Sequence, residues 1–572
     1  MHKRHLLLIG AALALSPVPE PDIAVAAQAA ACAGDNGGLV LADGFCATVF
    51  ADGLGHARHL AVAADGTVYV NTWSSPYYRN DNPPAGGFLV VLKDTKGAGR
   101  ADLVQRFGAE AVDGERGGTG LVLHNGYLYA ESNDRVIRYP VSSATPVPAG
   151  KPEIVLSGMP MGGDHPMHPF TIDKTSNLFV TMASATNSCQ KENRAAQSPG
   201  IAPCTELETR GGIWRYDANK TGQVFSPKER YATGLRNSEG LDFDSAGRLY
   251  ATQHGRDQLR ENWPQFYSAE QGFNLPAEEV MIIKEGGAYG WPYCYYDPTQ
   301  KKLVLAPEYG GDGGKKVGDC ATKLPPVATF PAHWAPNDLK IYKGSQFPAA
   351  FREGAFIAFH GSWNRAPGPQ GGYNVAFQPL KDGQASGDYI IFADNFAGAI
   401  KQPGRAAFRP SGLAVAPDGA LFIADDLKGR IWRVTHHGEG SSAALKSVEA
   451  PVTDASQAAD KAQPLTPPPG YTDDQVTLGR RIFHGEVADG TCGGCHGRDA
   501  TGTPGGPDLT TGSWLWSDGS IEALKNIIVA GVPQPKEHPV AMPPMGGVPL
   551  SDKELQAVSA YVWALGHSAP KR

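Results

Sequence analysis

Residues 60–73 read LAVAADGTVYVNTW: an apolar strand, an Asp-Gly turn, and a second strand carrying Tyr69 and Trp73. Side chains alternate on the two-residue period of a strand on both sides of the turn, and Asp-Gly tolerates the positive φ of a tight hairpin. The cassette returns at 121–134 (LVLHNGYLYAESND), 170–184 (FTIDKTSNLFVTMAS), 241–255 (LDFDSAGRLYATQHG), 351–363 (FREGAFIAFHGSW) and 413–426 (LAVAPDGALFIADD). Six imperfect copies predict a mainly β fold, a six-bladed β-propeller of four-stranded blades. An ordinary β-sandwich with coincidental turns is the competing reading, and the number and spread of the copies count against it.

Composition agrees. The 572 residues include 70 Gly and 46 Pro, a share that suits many short strands joined by turns. Lys and Arg number 51 against 58 Asp and Glu, a net charge of −7, so there is no electrostatic footprint for nucleic acid. At 41% hydrophobic the chain can bury a core.

The N-terminus reads as an export signal over residues 1–29: Lys3 and Arg4, a short apolar run from Leu6 to Ser16, then small residues around Ala24–Ala29. The run is too short to span a bilayer, and no later segment approaches that length, so the mature protein is expected to lack a transmembrane segment. A periplasmic or secreted location follows. Of eight cysteines, six fall into pairs close in sequence, and in an oxidising compartment these read as disulfides 32–46, 189–204 and 294–320. Six cysteines allow 15 connectivities, so short loop closure is the argument for these three.

After Val434 the texture changes. Residues 436–469 are rich in Ala, Ser, Asp, Gln and Pro and read as a linker between the propeller, 30–435, and a small all-α domain, 470–572. Thr472 with Gln475, and Ser551 with Glu554, form capping-box starts for two of its helices. Cys492-Gly493-Gly494-Cys495-His496 is the C-x-x-C-H pattern of covalent haem attachment: two thiols become thioethers, and the adjacent imidazole reaches the iron. A redox dithiol or half a zinc site is the alternative for the two cysteines. With Met542-Pro543-Pro544-Met545 downstream, this region resembles a class I cytochrome c domain. The resemblance implies haem c with His496 and a methionine as axial ligands, Met542 first and Met545 as rival; thioether trans to imidazole raises the potential and suits electron transfer.

A haem domain needs an electron source. Asp164-His165, Gly234-Leu235-Arg236-Asn237, Gly286-Gly287-Ala288-Tyr289-Gly290-Trp291-Pro292 and His360-Gly361-Ser362-Trp363-Asn364-Arg365 resemble motifs of the soluble quinoprotein glucose/sorbosone dehydrogenases, in the same order. These six-bladed propellers use pyrroloquinoline quinone (PQQ) and calcium, and their broad group includes fungal pyranose dehydrogenases joined to a cytochrome. The resemblance implies that Arg236 and Asn237 contact the cofactor, that main-chain carbonyls at Gly255 and Arg256 bind Ca²⁺, and that His165 is the base. Planar guanidinium groups grip carboxylates bidentately, so Arg236, Arg409 and Arg365 are candidates for the carboxylates of PQQ. His168 is a rival for the base; His333 and His360 are weaker pocket candidates.

The chain departs from the glucose-oxidising members: His168 stands where they carry Arg, Met182-Ala183-Ser184 lacks their base-supporting Asp, and no Gln near Gly118 matches their substrate-side residue. The sorbosone-type subgroup fits better. The expected activity is oxidation of a sugar, polyol or aldehyde, with electrons passing through the haem to a soluble cytochrome, a cupredoxin or a membrane oxidase. A calcium-dependent propeller hydrolase of the lactonase type, or a binding propeller with a relay cytochrome, are the alternatives.

Overall fold

The computed structural model describes residues 32, 34–74, 84–109, 116–437, 446–448 and 465–568, apart from 363, 366–368, 400, 402–404, 485–486, 489–491, 498, 503–504, 539–540 and 549. The export signal and most of the linker lie outside the described residues. So does Trp363 of the His360–Arg365 motif.

Six antiparallel blades are arranged in a ring. Their innermost strands are Ala57–Val62, Leu121–His124, Phe170–Ile172, Leu241–Phe243, Pro336–Ile341 and Pro410–Val415, and each contacts the next around the circle. In five blades the cassette read from sequence forms the inner two strands. At Asn125-Gly126 both residues have positive φ, 47° and 78°, the signature of a two-residue hairpin turn.

The cassette at 351–363 is different. Phe351 ends a 3-10 turn, Ala349–Phe351, and Gly354–Phe359 is the second strand of its blade, paired with Pro336–Ile341 upstream. Pro348 and the burial of the Phe351 ring stop a strand from forming there.

The ring is closed from the far end of the chain. Strand Phe45–Ala51 supplies the outer strand of the last blade by pairing with Ile431–His436. Phe45 then packs edge-on against Phe347, Phe351 and Phe392, at centroid distances of 4.7, 5.2 and 4.8 Å. The clasp is thus an apolar lock as well as a hydrogen-bonded one. Across the axis, Arg58 pairs with Glu239 and with Asp426, joining the first, fourth and sixth blades.

All three cysteine pairs form as read, with Cα–Cα distances of 5.5, 6.2 and 5.8 Å for 32–46, 189–204 and 294–320. Each closes a short loop, a constraint worth about 3 kcal/mol in the chain-entropy account.

The C-terminal domain is built from helices Asp473–Phe483, Cys492–His496, Ile521–Ala530 and Asp552–Ser568. Both expected caps are present: Gln475 N–H donates to Thr472 Oγ1, and Glu554 N–H to Ser551 Oγ. The first and last helices cross so closely that a Cβ at Gly479 would fall 2.0 Å from the Ala557 carbonyl oxygen. Phe483, Leu524, Ile528, Val558 and Tyr561 form the core beneath them. Among the described residues no helix is long and apolar enough to cross a membrane.

Candidate active site

One end of the propeller axis carries a dense polar network on loops between strands. Gly234, at φ 80°, turns the chain so tightly that a Cβ would sit 2.7 Å from the Gly290 amide nitrogen. That turn aims Arg236 and Asn237 inward, where both are buried. Arg236 donates from Nε to the Asn187 carbonyl (3.1 Å), from Nη1 to the Gly255 carbonyl (3.0 Å) and from Nη2 to Asp257 Oδ2 (2.8 Å). Asp257 also accepts from Arg194 Nη2 (3.0 Å) and Asn364 Nδ2 (2.6 Å). Burial opposes its ionisation, but Arg236 and Arg194 overcome this and hold the carboxyl well below the usual range.

His165 adjoins this cluster. Its Nδ1 lies 2.8 Å from the Ser184 carbonyl oxygen, which can only accept, so Nδ1 carries the proton and Nε2 is left as a lone-pair acceptor. No partner for Nε2 appears among the described residues. Burial, and then the Arg236 charge, push the imidazole down to about 3, so it stays neutral. His168, its rival, is buried with both nitrogens engaged, Nδ1 by Glu131 (3.3 Å) and Nε2 by the Pro160 carbonyl (2.9 Å). That leaves no free nitrogen for chemistry.

Asn237 gives one amide hydrogen to Glu239 Oε1 (3.2 Å), while its buried Oδ1 has no partner among the described residues. Glu239 leads through Arg58 to Asp426, which takes His360 Nε2 at 2.7 Å. Arg409 is buried beside this chain, donating from Nε to the His360 carbonyl (2.9 Å) and from Nη2 to the Gly361 carbonyl (2.6 Å). Its Nη1 has no acceptor among the described residues.

Other candidates fare differently. Arg365 spends its guanidinium on the carbonyls of Phe273, Ala332 and Pro369, and so fastens loops together instead of presenting an anion grip. His333 Nε2 is taken by the Gly272 carbonyl at 3.2 Å. The Gly255 carbonyl accepts from Arg236, whereas the Arg256 carbonyl accepts no hydrogen bond among the described residues. Sequence reasoning missed Asp257, Arg194, Asn187 and Glu239. Two of them were signalled, since Asp257 follows Gly255-Arg256 directly and Glu239 stands two residues after Asn237.

In the C-terminal domain Cys492, Cys495, His496 and Met542 all line one apolar crevice, together with Phe483 and Val558. Met545 does not. His496 Nδ1 donates to the Pro507 carbonyl (2.9 Å), a contact that fixes the orientation of the ring. Neither cysteine is in a disulfide, and burial pushes the Cys492 thiol up to about 12 and the Cys495 thiol to about 11. Met542 is held in place by a backbone bridge to Val532.

With these features in place, comparison with known proteins is decisive for the propeller: residues 39–437 match the family described as TrAA12-like. The chain belongs to the TrAA12-like family. Residues 476–566 match cytochrome c, so this TrAA12-like protein is a fusion.

A pyrroloquinoline quinone-dependent pyranose dehydrogenase from Coprinopsis cinerea is 28% identical over 234 residues, 35% of this chain and 30% of that protein. An uncharacterised protein of Borreliella burgdorferi is 29% identical over 210 residues, 36% of this chain and 48% of its own. The cbb3-type cytochrome c oxidase subunit FixP of Rhizobium etli is 38% identical over 77 residues, 13% of this chain and 26% of that one. The matches thus span less than half the length of each of these relatives. The holo form of the pyranose dehydrogenase PQQ domain from Coprinopsis cinerea superposes with a TM-score of 0.54 at 20% identity, covering 70% of this chain and 97% of that one. At that identity the TrAA12-like propeller shares its fold.

Proposed function

We infer that this TrAA12-like protein is a quinohaemoprotein dehydrogenase. It oxidises a sugar, polyol or aldehyde of the sorbosone-type subgroup in its propeller, with PQQ and Ca²⁺, and passes the electrons through haem c to a soluble cytochrome, a cupredoxin or a membrane oxidase. The observation that carries the reading is His165: a neutral imidazole with Nδ1 anchored and Nε2 free, beside Arg236 and Asn237. Family membership and the pyranose dehydrogenase among the relatives support the cofactor.

The residues fit these groups. The buried Oδ1 of Asn237, without a partner among the described residues, the Nη1 of Arg409, and the guanidinium of Arg236 once its Nη1 leaves the Gly255 carbonyl are a donor and acceptor set that suits a polycarboxylate quinone. Carbonyl oxygens of Gly255 and Arg256 suit a hard cation. Calcium there would require Gly255 to exchange its hydrogen bond from Arg236. Cys492 and Cys495 would carry the haem, and His496 and Met542 would hold its iron.

When bound, the ortho-quinone supplies an electrophilic carbon that accepts hydride. The protein's own work is to orient the alcohol and remove its proton. His165 takes the hydroxyl proton at Nε2, and the Ser184 carbonyl fixes the tautomer that makes this feasible. Ser184 thereby fills the orienting role for which the sequence showed no Asp. The N-terminal signal and three disulfides support export to the periplasm or secretion.

The deciding experiment reconstitutes the protein with PQQ and Ca²⁺, offers a panel of sugars, polyols and aldehydes, and reads haem reduction. Turnover independent of PQQ would overturn the reading.

A further inference from the structure

The segment that follows the Gly255-Arg256 carbonyls is also the segment that meets the cytochrome domain. Gln258 has left-handed backbone (φ 61°, ψ 39°), a conformation that non-glycine residues hold only where surrounding structure imposes it. Gln258 lines the haem crevice with Cys495, His496 and Met542. On its other side Gln258 Oε1 accepts from Arg194 Nη1 at 3.2 Å; Arg194 binds Asp257, and Asp257 binds Arg236. Three side-chain contacts therefore join the wall of the haem crevice to the proposed quinone contact.

Two further contacts hold the domains in this relation. A Cβ at Gly547, in the loop after Met542, would lie 3.6 Å from Cβ of Glu261. Arg405 Nη1 pairs with Asp499 Oδ2 at 2.9 Å, three residues beyond His496.

Resting on the function inferred above, we propose that residues 255–261 are the internal electron-transfer interface and that Gln258 is its positioning residue, holding the haem crevice against the Arg194–Asp257–Arg236 network. Each oxidised substrate releases two electrons and two protons. The electrons reach the haem one at a time, taking Fe(III) to Fe(II), and a one-electron oxidant such as ferricyanide restores Fe(III) each time; the protons leave to solvent. A polar side chain spanning the gap gives the electron a bonded route in place of a water-filled one.

The test uses the full-length holoprotein. Gln258→Leu should slow substrate-driven haem reduction by about threefold or more, the scale on which interface contacts couple sites, while the haem potential in a redox titration stays put. Arg405→Glu should slow it too, and Arg405→Glu with Asp499→Arg should restore it. The pair Glu261→Cys and Gly547→Cys meets the Cβ spacing of a disulfide, at the cost of strain from a side chain at φ 83°, so the variant is first checked for folding by thermal denaturation. It should cross-link on oxidation, detected by mass spectrometry of the peptides, and its haem reduction should no longer depend on ionic strength. Wild-type haem reduction in both Gln258→Leu and Arg405→Glu would overturn the proposal, as would a cross-linked protein whose haem is no longer reduced. The cross-link also reports on docking without substrate: its failure to form counts against the interface even if the propeller reduces dyes. A double-cysteine variant that cross-links, alongside a wild type that reduces neither dye nor haem with any substrate, would overturn the dehydrogenase reading, and with it the role of Gln258.

Discussion

His165 Nδ1 and the Ser184 carbonyl oxygen are 2.8 Å apart, and this contact decides what the imidazole can do. A main-chain carbonyl cannot donate, so the proton sits on Nδ1 and the lone pair on Nε2. Replacing His165 by Ala should lower kcat by roughly 10²–10⁴-fold, the usual contribution of a positioned base. PQQ affinity should hardly change, because other residues make the grip. Stopped-flow reduction of bound quinone checks this, and near-normal reduction in His165→Ala with loss in His168→Ala would transfer the role. Since the imidazole is pushed down to about 3, the rate should show no inflection at the ordinary histidine value near 6.5.

Arg236→Ala should act in the opposite sense, weakening PQQ binding because a carboxylate loses its charged partner. It should also cost stability. Asp257 would keep Arg194 but lose one of two guanidinium partners in a buried site, where breaking an ion pair typically costs about 3–5 kcal/mol. Thermal denaturation of the apoprotein separates this cost from cofactor loss.

Much of this was legible locally. The hairpins are written in alternation and in turn residues such as Asn125-Gly126, both of which act over a few positions. The haem motif is written in five consecutive residues on one short helix. The outer strand Leu103–Phe107 was not legible, because its exposed Val104 and polar Gln105 and Arg106 break the apolar signal. Nor was the clasp, since Phe45–Ala51 pairs with a strand at the other end of the ring. The Arg194–Asp257–Arg236 cluster is invisible for the same reason: three loops far apart in sequence meet only once the blades have closed. The orienting partner of His165 is a carbonyl, which every residue possesses, so no side-chain pattern could announce it.

In the cytochrome domain, Met542→Ala should abolish the near-infrared band of methionine-ligated haem and lower the potential, because a methionine ligand would raise it. Met545→Ala should do neither, since Met545 does not line the crevice. The reverse result would reassign the ligand.

His360 gives a prediction about pH. Its Nε2 meets Asp426 at 2.7 Å, yet burial, and then Arg409, push the imidazole down to about 4. In the unfolded chain it titrates near 6.5. Between those values the unfolded state binds a proton that the folded state refuses, so the stability of the fold must fall as pH drops from about 6.5 toward 4. His360→Asn removes this contribution. Denaturant titrations across that window should show a shallower loss for the variant than for the wild type; parallel slopes would mean that His360 is protonated in the fold.

The last prediction concerns how far the propeller depends on its cytochrome. Every strand of the ring lies between Val40 and His436, and the closing pair, Phe45–Ala51 with Ile431–His436, is complete before the linker begins. Among the described residues the C-terminal domain adds no strand to any blade. Its contacts with the propeller include the Gln258 edge, the Glu261–Gly547 approach and the Arg405–Asp499 pair, and a partly exposed pair of that kind is worth under about 1 kcal/mol. A chain ending near residue 440 should therefore fold, bind PQQ and reduce artificial dyes at close to the full-length rate, while losing transfer to one-electron protein acceptors. Its unfolding transition should fall close to that of the propeller in the intact protein. A truncated chain that folds and binds PQQ but cannot reduce a dye would mean that the two domains build one site between them.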